Sequence, residues 1–311
     1  MIGSKAISST GLRGCDRSAD TDGVMPARLP VTVAIPARNE ERNLPACLAR
    51  LSRFERVVVI DSGSSDRTKA IAIEHGAHVI DFAWDGHFPK KRNWFLRHHA
   101  PITPWVFFLD ADEFVDDAFC DELERTLPST GHSGFWINYD TWFLGKRLRH
   151  GDVNRKLALF RVGAGEYERI EEDRWSHLDM EIHEHPILKG TLGDLVSRID
   201  HRDDRGLEHW LRKHNEYSSW EAQRTAMLRR QGQLAEAGLT PRQRRKYRSI
   251  GAWWLPGVYF LDTYVRRGGW MDGHAGLAYA FLKASYFWEI GLKVRELERG
   301  ADQPTRRRGP P

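Results

Sequence analysis

Short apolar runs alternate with polar loops along the first third of the chain. Val31–Ile35, Val57–Ile60, His78–Phe82 and the stretch Val106–Leu109 behind Trp105 are brief and rich in β-branched or aromatic residues. Such runs predict buried strands rather than helices. The segments between them carry helix signals. After the polar loop Pro36-Ala37-Arg38-Asn39-Glu40, Asn43 is placed to cap a helix with Pro45 in its first turn and Leu44, Leu48 and Leu51 on one face. After Asp61-Ser62-Gly63-Ser64-Ser65-Asp66, Ser64 or Ser65 would cap a second helix that Gly76 closes. Lys90–His99, following Pro89, reads as a third. Strand, loop and helix repeated at these lengths imply right-handed βαβ units and an α/β fold with a mostly parallel sheet flanked by helices.

In such a sheet ligands sit beyond the carboxyl ends of the strands. The loops after the first, second and fourth strands, with Glu40, Asp61, Asp110 and Asp112, are therefore expected to face one cleft. Within FLDADE (108–113), Asp110 and Asp112 stand one residue apart at a strand end, where paired carboxylates suit a hard cation such as Mg²⁺ or Mn²⁺. An acidic pair alone often merely ends a strand; the convergence of the other loops gives it weight. There is no GxGxxG and no GxxxxGK[ST], which disfavours dinucleotide-binding and P-loop chemistry.

The 311 residues are 41% hydrophobic, ample for a core, and the net charge of +4 implies no nucleic-acid partner. Cys15, Cys47 and Cys120 form no CxxC, as expected of reduced thiols in the cytosol. Residues 1–29 lack the apolar core of a signal peptide and read as a disordered leader; residues 298–311 read as a disordered basic tail. No apolar run reaches the roughly 18–20 residues of a spanning helix. Yet Gly251–Val265 and Trp270–Leu292 are dense in aromatics, and residues 224–267 hold ten Lys and Arg against Glu236 and Asp262. That composition fits helices lying in a membrane interface beside anionic lipid; an ordinary core pair or a dimer interface fits it too. RNA binding has no motif behind it.

VAIPARNEERNL (33–44), VVVIDSGSSDRT (57–68), KKRNW (90–94) and FLDADE (108–113) resemble, in order and spacing, the family 2 glycosyltransferases, an inverting group with the GT-A fold. EIHEHPIL (181–188), DHRDDRGLEHWLRKHNEYSSWEA (200–222) and YVRRGGWMDGHAGL (264–277) extend the resemblance to the branch of WaaE-type lipopolysaccharide-core glucosyltransferases. The resemblance implies a GT-A domain over residues 30–200; residues 201–297 read as a helical extension, for which the composition above leaves membrane association open beside a core pair or a dimer interface. It puts Pro36, Arg38 and Glu40 by the nucleotide, Asp61 on the base, Asp110 by ribose and metal, Asp112 on the metal, and Arg92 and Asn93 near the pyrophosphate. Relatives often have Arg where this chain has Ala158, so that role falls to Lys156 or Arg155.

The implied reaction moves a hexose, with UDP-glucose as leading donor, to a lipopolysaccharide-core or other lipid-linked acceptor on the inner face of the cytoplasmic membrane. It needs charge neutralisation at the diphosphate and a base for the acceptor hydroxyl. Glu184 is the leading base and Glu181 the second; His183 would contact diphosphate or metal, and the two histidines beside Glu184 lack the spacing of a zinc site. His201, after the apolar Leu195–Ile199, is a core histidine by default and a site residue otherwise. Asp140 and Asp152 read as solvated loop acids, and Leu207, Trp210, Leu211 and His214 as a helix stripe for core first and acceptor second. Two alternatives stand: an exopolysaccharide transferase using a polyprenyl-diphosphate sugar, and an inactive membrane-bound scaffold, which intact Asp110, Asp112 and Glu184 argue against.

Overall fold

The computed structural model describes residues 28–152, 154–170, 179, 181, 184–203, 205–230, 239 and 241–302. The first half runs β1 (Leu29–Ala37), α1 (Leu44–Leu48), β2 (Phe54–Asp61), α2 (Thr68–Glu74), β3 (His78–Asp81), α3 (Lys91–His98) and β4 (Trp105–Phe108). These are the βαβ units expected, and their strands pair in parallel in the order β3-β2-β1-β4. Then come β5 (Glu113–Phe114), α4 (Asp117–Thr126), β6 (Gly134–Phe143), β7 (Lys146–Arg147), β8 (Asn154–Arg161), β9 (Gly165–Tyr167), β10 (Pro186–Leu188) and β11 (Leu192–His201). The main sheet continues β4-β8-β6-β11-β5, with β8 antiparallel to both neighbours and β11 parallel to β6. The parallel half ends beside the acidic loops.

The central strands are apolar on consecutive residues because both faces are covered. Phe107 and Leu109 pack with Val31, Val33 and Ile35 under α1 and α4, while Val106 and Phe108 pack with Ala34, Ile60 and Phe95 under α3. Cys47 and Cys120 are buried free thiols in the first of these layers.

Local signals were right in kind and shifted in detail. Leu29 is already a buried strand residue, its amide on the Arg53 carbonyl at 2.8 Å, so the sheet begins inside the expected leader. Asn43 precedes α1 but does not cap it; its side-chain amide donates to Glu40 at 2.9 Å. Neither Ser64 nor Ser65 caps α2. The Asp66 carboxylate, a stronger acceptor, takes the Thr68 amide at 2.9 Å, while Ser64 serves Asp61 and Ser65 binds Asn39. Gly76 closes α2 as expected: at φ 75° it lets its own amide reach Ile73 O and that of Ala77 reach Ala72 O, a Schellman arrangement.

The extension comprises α5 (Leu207–Arg230), α6 (Pro241–Ser249), α7 (Leu255–Phe260) with the wide turn Leu261–Arg266, and α8 (Gly273–Asp302). Ala222, Leu228, Tyr247, Ile250, Ile290 and Val294 form its own core. The last helix continues past residue 297 into the expected tail because α5 holds it there, with Arg230 donating to Leu297 O at 2.5 Å and Arg229 paired with Glu298 at 3.3 Å. A second cluster, Phe143, Leu148 and Ala275 with Trp210 and Tyr279, joins the extension to the sheet. Buried Asp272 locks that joint by accepting the amides of Arg149 and His150.

Candidate functional site

A cleft of about 680 Å³ opens where the parallel strands end, a size in the range of small-molecule sites. The sheet supplies one wall and α5 and α8 the other, so the cavity has two ends of different character.

At the sheet end the loops after β1 and β2 are stitched together before any ligand arrives. Asn39, in the left-handed region at φ 56°, donates its amide to Ser64 Oγ and accepts from the Ser65 amide, both at 2.9 Å. Glu40 N donates to Thr68 Oγ1 at 2.8 Å. Pro36 and Glu40 line the cleft. Arg38 is exposed beside it, and fully buried Asp61 is spent on the turn below, accepting the Ser64 amide at 2.9 Å. Of the four acids expected to converge, Glu40, Asp110 and Asp112 therefore face the cavity, and Asp61 lies behind it.

Asp110 and Asp112, just past the end of β4, are held by different sets of cations. Asp110 takes Arg92 on Oδ1 at 2.9 Å and Lys156 on Oδ2 at 2.8 Å. Lys156 also binds Glu113, which accepts the Asp110 amide at 3.0 Å. Of the two cations expected to replace an Arg at position 158, Lys156 reaches the site, whereas Arg155 pairs with Asp194 and lies 4.9 Å over the Trp136 ring. Asp112 is reached by His201 Nε2 at 3.5 Å and Arg205 Nη2 at 3.6 Å, both on Oδ2. The register explains this: β5 pairs antiparallel with the end of β11, setting His201 opposite Glu113, and the Arg202 amide closes onto Asp112 O at 2.9 Å. His201 is therefore a site residue and not a core histidine.

Burial pushes the Asp112 carboxyl up, but His201, with help from Lys213, more than offsets it and holds the group below the usual range. Asp110 is likewise depressed, burial being outweighed by Lys156 and Arg92. Glu40 goes the other way, because burial there exceeds the opposing pull of Arg205 at 3.0 Å. For His201, burial lowers the imidazole and Asp112 raises it, with a net rise.

Glu184 reaches the cleft from the side of α3, buried, with Lys90 Nζ 3.1 Å from Oε1. Glu181 lines the cavity too, but its carboxylate accepts the amides of Arg92 and Asn93 at 2.9 and 3.0 Å and so anchors the first turn of α3. Asn93, expected at the pyrophosphate, is fully buried away from it: its side chain bonds Tyr167 N and O at 2.9 and 3.0 Å, fastening α3 to β9. His183 lies outside the described residues.

The far wall is aromatic. Trp210 stacks on His214 with centroids 3.5 Å apart and meets Phe143 edge-on at 5.6 Å, while Tyr279 and Tyr286 of α8 complete the surface. The stripe on α5 is thus split: Trp210, His214 and the half-exposed Leu207 line the cleft, whereas Leu211 is exposed outside it. Asp152, read as a solvated acid, lines this end and accepts the Tyr259 hydroxyl at 2.7 Å. Asp140, read the same way, is buried in β6, with Arg198 Nε at 2.6 Å and Arg147 on its other oxygen. Arg205 and Lys213 lie inside the 200–222 segment of the resemblance without being singled out there, and Tyr279 and Lys283 carried no motif. Only the buried Lys90 and Lys91 had a local hint, since a KK pair opening a helix rarely goes inside unless paired.

Paired carboxylates ringed by cations at the ends of parallel strands, facing a broad aromatic wall, define a site for an anionic small molecule beside a second, ring-bearing one. Comparison with known proteins agrees. Residues 32–181 match glycosyl transferase family 2, and the chain carries a family 2 glycosyltransferase domain; it is a glycosyltransferase. Among curated relatives, the lipopolysaccharide core biosynthesis glycosyltransferase LpsC of Rhizobium meliloti is 28% identical over 276 residues, covering 86% of this chain and 92% of that one. An uncharacterised glycosyltransferase of Mycobacterium tuberculosis is 38% identical over 97 residues, 31% of this chain and 43% of its own. Among solved structures, glucosyl-3-phosphoglycerate synthase from Mycobacterium tuberculosis, in complex with Mn²⁺, UDP and glucosyl-3-phosphoglycerate, aligns at 25% identity with a TM-score of 0.29 over 34% of this chain and 42% of that one.

Proposed function

We propose that the enzyme transfers a hexose, glucose from a UDP-sugar, with inversion to a lipopolysaccharide-core or other lipid-linked glycan at the inner face of the cytoplasmic membrane. The observation that carries the donor half is Asp110 and Asp112 at the mouth of the parallel strands, ringed by Arg92, Lys156, His201 and Arg205. The acceptor half is supported by the aromatic wall, suited to sugar rings, and by the name of LpsC, matched over nearly its whole length.

Among the described residues no three His, Cys, Asp or Glu side chains already form a metal site. The donor set nevertheless fits a divalent cation. Asp112 Oδ2 and His201 Nε2 share one spot 3.5 Å apart on the cleft, with Asp110 two residues away. Mn²⁺ and Mg²⁺ commonly complete such partial sets with water and substrate phosphates. These three residues would hold the ion, which when bound supplies Lewis-acid stabilisation of a departing diphosphate. Arg92, Lys156 and Arg205, each now on a carboxylate, would bring further positive charge to the same group. Pro36, Arg38 and Glu40 would bound the nucleoside, with Asp61 fixing the loop behind them. Glu184 would take the proton of the acceptor hydroxyl on the face opposite the leaving group; Glu181, occupied with the start of α3, would position Arg92.

Donor hydrolysis across a panel of nucleotide sugars tests this reading. UDP-glucose should be consumed fastest and only with a divalent cation present. Equal turnover in EDTA, or no turnover of any UDP-sugar, would contradict it.

A further inference from the structure

Eleven of the nineteen exposed large apolar side chains among the described residues fall between Trp253 and Leu292. They are ordered. Along α7 and its following turn, Trp254, Val258, Leu261 and Val265 recur every three or four residues on one side. Along α8, Leu277, Phe281, Trp288 and Leu292, spaced by one or two helical turns, also share a side. The opposite sides of both helices are engaged: Tyr259 meets Phe287 at 4.7 Å between ring centroids, and Thr263 is buried. The helices approach closely at Gly251 and Gly291, where an added Cβ would come within 3.0 Å of backbone. There the two stripes join, because Trp253, Trp288 and Leu292 line one shallow groove.

An apolar area this continuous on a soluble chain marks an interaction surface, and its rim selects the partner. Exposed Arg248 and Arg295 stand at the end near Gly251, and exposed Arg266 and Arg267 at the other. Opposing acids are few: Asp262 is held between Arg266 and Arg267, Glu289 accepts from Ser218 of α5, and Glu296, four residues past Leu292, is flanked by exposed Arg295 and Arg299. Tryptophan at a wet apolar edge with arginine around it is the composition of a segment lying in a bilayer interface. No helix among the described residues is long and apolar enough to cross a membrane.

We propose that the outer face of α7 and α8 docks the enzyme in-plane on an anionic lipid bilayer. The inference deepens the reading above and rests on it for its purpose: Tyr279, Lys283 and Tyr286, on another side of α8, line the aromatic end of the cleft. One helix thus separates bilayer from acceptor site, so a glycan still attached to its lipid meets the cleft without leaving the membrane.

The test sediments the full chain with phosphatidylcholine vesicles, with and without phosphatidylglycerol, at low and high salt. The wild type should bind the anionic vesicles and be weakened by salt. The variant Val258→Ser/Phe281→Ser/Trp288→Ser, which alters exposed side chains only, should lose binding by on the order of a hundredfold or more, while Arg248→Gln/Arg266→Gln should lose about tenfold or more. Both variants should keep their circular dichroism and their UDP affinity. Failure of the wild type to bind anionic vesicles, or undiminished binding by the serine variant, overturns the proposal. So does a stable dimer in sedimentation equilibrium that the serine variant splits, since the face would then belong to a second copy. UDP affinity measured without vesicles keeps the two readings apart: vesicle binding with no UDP affinity upholds the docking face and refutes the donor site.

Discussion

The two ends of the cleft are built on different principles. At the sheet end, each carboxylate sits at a strand terminus and is balanced by cations from distant segments: Arg92 and Lys156 on Asp110, His201 and Arg205 on Asp112. At the other end rings form the surface, with Trp210, His214, Tyr279 and Tyr286 contributed by two helices of the extension and charges such as Lys283 and Asp152 set among them. The first end is suited to a compact, highly charged ligand and the second to a flat, hydroxylated one. Glu184, paired with Lys90, lines the same cleft. On the proposed function the contrast separates donor from acceptor recognition, so substitutions should divide them.

The largest division is expected at Glu184. Glu184→Gln keeps size and hydrogen bonding but removes basicity, which typically costs about 10²–10⁴-fold in rate. Turnover should fall by that order while the UDP dissociation constant stays near normal. If Glu184→Gln retains most of its kcat, the base lies elsewhere and the two ends are not divided there.

Lys156 sharpens the charged end. It joins Asp110 to Glu113, which is buried, and burial raises the Glu113 carboxyl despite that cation. Lys156→Met leaves two close carboxylates without their shared partner; because Lys156 is partly exposed and Asp110 keeps Arg92, the loss falls below the roughly 3–5 kcal/mol of a fully buried pair. Urea unfolding should show that loss, and less of it at low pH, where Glu113 can take a proton. A variant as stable as wild type at neutral pH would mean that Arg92 alone balances the site.

The aromatic end should reveal itself through pH. Burial, with Lys283 adding to it, lowers the His214 imidazole to about 4, whereas an unfolded histidine titrates near 6.5. Between those values the unfolded chain binds a proton that the folded chain refuses. Stability is therefore full above about pH 6.5 and falls as pH drops toward 4, by on the order of 3 kcal/mol. His214→Gln should remove that slope. An unchanged slope in the variant would show that the stacking on Trp210 does not control it.

The same contrast explains what the sequence made legible. The strands, the Gly76 stop and the acids Glu40, Asp110 and Asp112 are local: apolar runs and turn chemistry reveal them because neighbours in sequence create them. Asp61 and Asn93 were misplaced because motif position says which edge of the sheet a residue joins, not whether its side chain turns outward or into Ser64 and Tyr167. His201 and Arg205 became site residues only through the pairing of β11 with β5, across some 88 positions of sequence. The acceptor wall was unreadable for a similar reason: nothing in residues 207–290 says that Trp210 meets Phe143 while Leu211 stays exposed.

The central claim, that the Asp110–Asp112 end holds a nucleotide diphosphate together with a divalent cation, is tested most directly by calorimetry of UDP binding with Mn²⁺ and with EDTA, in wild type and in Asp112→Asn. The account expects binding that depends on Mn²⁺ in the wild type, and an Asp112→Asn protein that stays folded but no longer responds to the ion. Equal UDP affinity with Mn²⁺ and with EDTA in the wild type would contradict it.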